Sequence, residues 1–189
     1  MKKTNDPLQG SMIVIHGPPK VGKTQLAAHF PGPVQFFATE PGHRYIPEEQ
    51  RKLLVSLLPN VGWSNFRDKV EEKIRAKTFV VDTIGALYEQ CMEFVCASNN
   101  WSHAADAPHG KGWSAVKKEF MAGLSRLAWL CAKQSATLIL IDHSKEVVIE
   151  TTTSNVEKIT CAMPGQARSV ALAIPDHVWF LGYNEKTPG

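Results

Sequence analysis

"HGPPKVGKTQLAAHF", residues 16–30, puts two glycines, two prolines and two lysines into the eight positions 17–24. An apolar run precedes them and an amphipathic one follows. The spacing is Gly17-x-x-x-x-Gly22-Lys23-Thr24, the phosphate-binding-loop pattern. Met12-Ile13-Val14-Ile15 reads as a short buried strand, and Gln25 to Phe30 as the first turns of a helix. Strand, glycine loop and helix is the context the pattern requires. An ordinary Gly/Pro turn would also join a strand to a helix, but it needs neither this spacing nor the Lys-Thr pair.

The residue types fit the chemistry. A phosphate chain has to be wrapped closely by backbone N–H groups, and Gly17 and Gly22 allow the approach. The following helix adds the partial positive charge of its N-terminus. Residues Gly17, Pro18, Pro19, Lys20, Val21, Gly22, Lys23, Thr24 and Gln25 therefore form the expected nucleotide-binding segment. Lys23 is expected on the β- and γ-phosphates of ATP, and Thr24 on Mg²⁺.

Working outward, "FPGPVQFFATEPG" places Val34 to Ala38 in a second strand, with Glu40 just after it. Leu53 to Leu58 is compatible with a short strand. Ser64 reads as an N-cap for a helix to Ala76, with Phe66, Val70 and Ile74 on one face. "KTFVVDT" gives a buried strand, Thr78 to Val81, ending at Asp82, and a helix follows from Ile84 to Ala97. Residues 98–113 have no periodicity and read as a long loop. Ser114 to Gln134 is a long helix, and Leu138 to Asp142 a buried strand ending at His143. Residues 146–163 alternate loosely around Ser154-Asn155, which predicts a β-hairpin. A short helix to about Ala173 and a last strand, Val178 to Tyr183, close the chain.

Strands alternating with helices predict an α/β fold with a mainly parallel sheet. Ligands in such sheets sit at the carboxyl ends of strands. Gly17, Glu40, Asp82 and His143 all fall there. Asp82, at the end of an apolar strand, is the expected second Mg²⁺ contact, a role compatible with capping the following helix. ATP hydrolysis also needs a group that orients or deprotonates water. Thr83 follows Asp82, so Glu40 is the best carboxylate for that role, against the alternative of an exposed loop glutamate. His143 could report the γ-phosphate or be an ordinary solvated or core histidine. Asp142 could support His143 or the metal.

The 189 residues read as a loose arm at 1–10 and one domain at 11–189. The ending "YNEKTPG" comes abruptly after a strand and reads as a truncation. A hydrophobic fraction of 43% supports a sizeable core, and the net charge of +3 does not by itself indicate nucleic acid. Cys91, Cys96, Cys131 and Cys161 form no C-x-x-C pair or metal-type cluster and read as reduced thiols of a cytosolic protein. No secretory signal or membrane-spanning stretch is visible.

The ordered set "GPPKVGKT", "ATEPG", "VVDTI", "GKGW", "DHSKE" and "MPGQAR" resembles the compact phage RecA-like ATPases, also known as phage AAA-type nucleotide-binding proteins. The resemblance covers about residues 12–183. It implies a RecA-like P-loop NTPase core with Lys23 and Thr24 on phosphate and Mg²⁺, and Asp82 on the metal. It further implies Glu40 as the water-activating carboxylate and His143 as a γ-phosphate sensor. The implied activity is Mg-dependent ATP hydrolysis, DNA-stimulated, in recombination or annealing on single-stranded DNA, in the cytoplasm of an infected bacterium. A ring or filament of identical subunits is implied as well, with Arg168 a candidate for reaching a neighbour's nucleotide. The sensor strand departs from the pattern by carrying Asp142 where a small polar residue is usual.

For DNA contact the first candidate is the 98–113 segment, through Trp101, Lys111 and Trp113; the 146–163 hairpin mixes Lys145 and Lys158 with Glu146, Glu150 and Glu157. A P-loop small-molecule kinase is the main alternative, but the arginines between the P-loop and Asp82 are scattered and form no lid-like cluster. A nucleotide-dependent switch without turnover is the third.

Overall fold

The computed structural model describes residues 7–72, 74–150, 155–173 and 175–183. The 1–6 part of the expected arm, Ser154 of the expected hairpin turn and most of the "YNEKTPG" ending lie outside these residues. Strands β1 (Met12–Gly17), β2 (Val34–Ala38), β3 (Leu54–Pro59), β4 (Thr78–Asp82), β5 (Thr137–Glu150) and β7 (His177–Phe180) form one sheet in the order β3-β2-β4-β5-β1-β7. Every pairing along that path is parallel. Strand β6 (Asn155–Cys161) pairs antiparallel with the far half of β5. The helices are α1 (Lys23–Ala28), α2 (Glu48–Arg51), α3 (Trp63–Glu71), α4 (Ile84–Ser98), α5 (Lys111–Gln134) and α6 (Gly165–Ala171). The expected α/β class is the observed one.

The central strands are apolar on both faces because both faces are covered. Alternate residues sort into two cores. Val14, Phe37, Phe79, Val81, Leu138 and Leu140 pack under α3, α4 and α5, against Trp63, Phe66, Leu87, Tyr88, Phe120 and Leu124. Ile13, Ile15, Phe36, Val80, Ile139 and Ile141 face the other way, onto Ala27 and Ala28 of α1.

The structure corrects several local expectations. Helix α3 begins at Trp63 behind an extended Gly62, so Ser64 lies inside the helix and is not its cap. Burial of Trp63 and Phe66 together sets that start. The helix ends at Glu71, not Ala76. Beyond it, Gln134 of α5 donates to the Ile74 carbonyl (2.7 Å) and accepts from the Ala76 N–H (3.3 Å), which satisfies extended backbone there.

Residues 98–110 are not one open loop. They contain two 3₁₀ turns, Ala104–Asp106 and Pro108–Gly110, and α5 already starts at Lys111. The first turn is capped reciprocally: His103 Nδ1 accepts from the Ala105 N–H and Asp106 Oδ2 from the His103 N–H. Gly112 is the one residue that fits beneath it, since a Cβ there would lie 2.1 Å from the Ala104 carbonyl oxygen. Such turns have no hydrophobic period and leave no trace in a periodicity reading.

Strand β5 does not stop at Asp142. It runs parallel to β1 as far as His143 and, from Ser144 onward, pairs with β6, so the hairpin begins at Ser144 rather than Glu146. The last strand is shorter than expected and ends at Phe180.

Candidate active site

The carboxyl ends of β1, β2, β4 and β5 open into a crevice of ≈ 660 Å³, lined among others by Lys23, Thr24, Glu40, Gly42, Asp82 and His143. Its floor is the loop between β1 and α1. Gly22 has φ 98°, the left-handed region where glycine is favoured. Pro18, Pro19, Lys20 and Val21 carry the chain from Gly17 to Gly22. The Lys23 ammonium is buried and donates to the carbonyls of Gly17 and Pro18, both at 2.8 Å. Burial pushes its pKa down, while the nearby carboxylates of Asp82, Glu40 and Asp142 push it up. Gln25, on the exposed rim of the crevice lining, donates to the Tyr45 carbonyl.

Thr24 and Asp82 meet directly. Thr24 Oγ1 donates to Asp82 Oδ2 at 2.6 Å. Asp82 is almost fully buried; burial raises its pKa and the Thr24 hydrogen bond lowers it. It does not cap α4. Thr83 does that, its hydroxyl accepting from the Ala86 N–H, which leaves the Asp82 carboxylate facing the crevice. The Asp82–Thr83 peptide is cis.

A divalent ion suits this corner. The donor set is a hydroxyl and a carboxylate, hard oxygens of the kind Mg²⁺ takes. Gly42 keeps the adjoining space clear, for a Cβ on it would stand 3.1 Å from Thr24 Oγ1 and 3.6 Å from Asp82 Oδ2. Among the described residues no cluster of three or more His, Cys, Asp or Glu could hold a metal. An ion here would take few protein ligands, as Mg²⁺ does when phosphates and water complete its shell.

Across the crevice, Glu40 is held by two donors. Its Oε1 accepts from Thr83 Oγ1 at 2.8 Å, and its Oε2 lies 3.1 Å from His143 Nε2. The His143 hydrogen bond, aided by that from Thr83, depresses the Glu40 pKa against the opposing effect of burial. The same contact raises His143 above the usual histidine value. Glu40 is thus an anion at neutral pH and His143 its partner. The ends of β2 and β4 are also stitched by the backbone and hydroxyl of Thr39: Thr39 N–H donates to the Asp82 carbonyl at 2.8 Å, Thr83 N–H to Thr39 Oγ1 at 2.7 Å, and Thr39 Oγ1 to the Thr83 carbonyl at 3.0 Å.

The structure brings Lys23, Thr24, Asp82, Glu40 and His143 to one crevice. Pro19, Lys20, Gly22 and Gln25 of the expected nucleotide-binding segment line it too, whereas Asp142, Arg168, Trp101, Lys111 and Trp113 do not. Asp142 is buried outside the lining and accepts from the Met163 N–H at 3.0 Å, which fixes the return from β6 to α6; from there its charge adds a minor part to the raised pKa of His143. Arg168 sits half-buried on α6, outside the lining. Trp101 and Trp113 are partly buried against the core under α4 and α5, with His103 edge-on to Trp113, and Lys111 is exposed at the start of α5. Sequence reading missed Thr83, Thr39 and Gly42. Thr83 carried a signal, since a threonine just before an apolar helix is a natural cap. The other two depend on which strand ends meet.

Residues 9–189 match the model of an AAA domain family, and comparison with curated proteins gives no match. Among the described residues no helix is long and apolar enough to cross a membrane. A phosphate-binding loop, a hydroxyl–carboxylate corner and a mainly parallel sheet under a match of that extent mean that the chain belongs to the AAA domain family and is a nucleotide-binding, ATPase-type P-loop domain.

Proposed function

We propose that the protein hydrolyses ATP with Mg²⁺ in this crevice, in the manner of RecA-like enzymes, and that single-stranded DNA in phage recombination or annealing is the setting for that activity. The observation that carries the reading is the convergence of Lys23, the Thr24–Asp82 pair and the Glu40–His143 pair on one cleft. Mg²⁺, held by Thr24 and Asp82, would supply charge neutralisation on the phosphates. Lys23 stands ready to exchange its two loop carbonyls for phosphate oxygens, with a stronger, charge-assisted contact.

Glu40 has a role shaped by its environment. A carboxylate with a depressed pKa is a poor outright proton acceptor, so its contribution is to orient a water and stabilise the positive charge that water develops. His143 then holds Glu40 in place and can exchange that partner for a phosphate oxygen. The DNA part of the reading rests on the resemblance, with Lys111 and the exposed edges of Trp101 and Trp113 as the contacts.

Phosphate release measured with and without single-stranded DNA is the test. Turnover that rises with DNA supports both parts. Turnover indifferent to DNA removes the DNA setting, nucleotide binding without turnover leaves a switch, and turnover only with a small-molecule acceptor makes the protein a kinase.

A further inference from the structure

The β5–β6 hairpin is a two-stranded ribbon with exposed aliphatic residues on both sides: Val148 is 59% exposed, Ile149 44%, Val156 48% and Ile159 46%. Directly opposed residues of an antiparallel pair lie on the same face, and successive residues alternate faces. The register Val147↔Lys158, Val148↔Glu157 and Glu146↔Ile159 therefore fixes which residues belong together. One face carries Glu146 and Glu157 around Val148 and Ile159. The other carries Lys145 and Lys158 around Val147, Ile149 and Val156. Among the described residues of the ribbon, one face is acidic and aliphatic, the other basic and aliphatic.

We propose that this hairpin docks copies of the chain on one another, the acidic face of one against the basic face of the next. A second copy fits because the two faces are complementary in charge and alike in their aliphatic content, which neither a uniformly charged strand of nucleic acid nor a membrane surface would match on both sides. Pairing along the open edge of β6 is the competing contact, and the charges of Glu157 and Lys158 in mid-strand oppose it. Because the two faces differ, the contact is head-to-tail and propagates into a ring or filament rather than closing as a two-fold dimer. Seven-residue strands give a ribbon about 23 Å long, so each face covers a few hundred Å², less than a standard interface. Assembly is accordingly weak, reversible and sensitive to salt.

The experiment uses the full chain, with sedimentation velocity over a concentration series. The parent protein should self-associate, and the association constant should fall about tenfold or more between about 0.05 M and about 0.5 M salt, as exposed ion pairs are screened. K145E/K158E leaves two acidic faces and E146K/E157K two basic ones; each variant alone should stay monomeric, with circular dichroism and nucleotide affinity unchanged. Mixing the two should restore association, because every acidic face then finds a basic one. A parent that is monomeric throughout overturns the proposal, as do variants that assemble like the parent or a mixture that stays monomeric. Loss of single-stranded DNA affinity in K145E/K158E at unchanged mass would reassign the hairpin to nucleic acid.

Discussion

Strand β5 lives in two environments. From Thr137 to His143 it is a central strand, parallel to β1 and β4, with Leu138, Ile139, Leu140 and Ile141 all buried. From Ser144 to Glu150 it is half of a hairpin, antiparallel to β6, with Val148 and Ile149 in solvent. The chain does not break between them. What changes is the number of covered faces, and with it the composition: a continuous apolar run gives way to a stretch in which Lys145, Glu146 and Glu150 flank Val147, Val148 and Ile149. His143 stands at the junction, where the buried half delivers its end to the crevice. The inner half positions chemistry by being rigid, and the outer half presents surface by being uncovered.

The contrast can be broken by experiment. The largest effect belongs to the inner end. Glu40→Gln should keep nucleotide affinity but lose about 10²–10⁴-fold in phosphate release. Parental turnover in that variant would move the water-orienting role elsewhere. Next comes the buried run itself: Ile139→Ala should cost about 2–5 kcal/mol in urea unfolding, as large-to-small changes in a packed core do. A cost below about 1 kcal/mol would mean that the inner half is not the tightly packed strand described. Lys23→Ala removes a charge-assisted phosphate contact of about 1.5–3 kcal/mol, which calorimetric titration with ATP reads directly.

The junction titrates. His143 is raised by Glu40, so its contribution to stability is full below about pH 6.5 and is lost as pH rises through its higher folded value. Glu40 is lowered, so its contribution is present above about pH 4.5 and is lost as pH falls through its folded value. The pair is therefore strongest in the mildly acidic window between. Both side chains are 36% exposed, which limits the pair to about 1 kcal/mol. His143→Gln should flatten the decline in melting temperature above neutral pH; an unchanged decline would locate the titration in another group. Smallest is the outer half, where Val148→Ser should shift stability by no more than about 0.5 kcal/mol. A larger loss would show the hairpin to be packed in solution.

The same contrast explains what could be read from sequence. The P-loop was legible because it is local: phosphate chemistry dictates residue types at fixed spacing, and the flanking strand and helix are visible in their periods. Strands β2 and β4 were legible because strands buried on both faces are short, apolar and bounded. The end of β5 was not. Ser144-Lys145-Glu146 looks like a strand terminus, yet β6 supplies a new partner there and only the cover changes. The stop of α3 was hidden because it depends on Gln134, distant in sequence. Asp82 and Glu40 could be named from their places at strand ends. Thr83 bridging to Glu40, and Gly42 clearing the space beside Thr24, arise only when β2 and β4 lie side by side.

Gly17 has a further meaning. The chain leaving β7 passes directly over it: a Cβ at Gly17 would sit 2.1 Å from the Leu181 carbonyl oxygen, Leu181 N–H donates to the His16 carbonyl, and Tyr183 Oη donates to the Pro19 carbonyl. The outermost strand thus ends as a tether lashed to the phosphate loop at two points, one on each side of its first glycine. Tension applied to the polypeptide at residue 183 would be passed to the backbone on either side of Gly17, the same backbone that forms the phosphate loop.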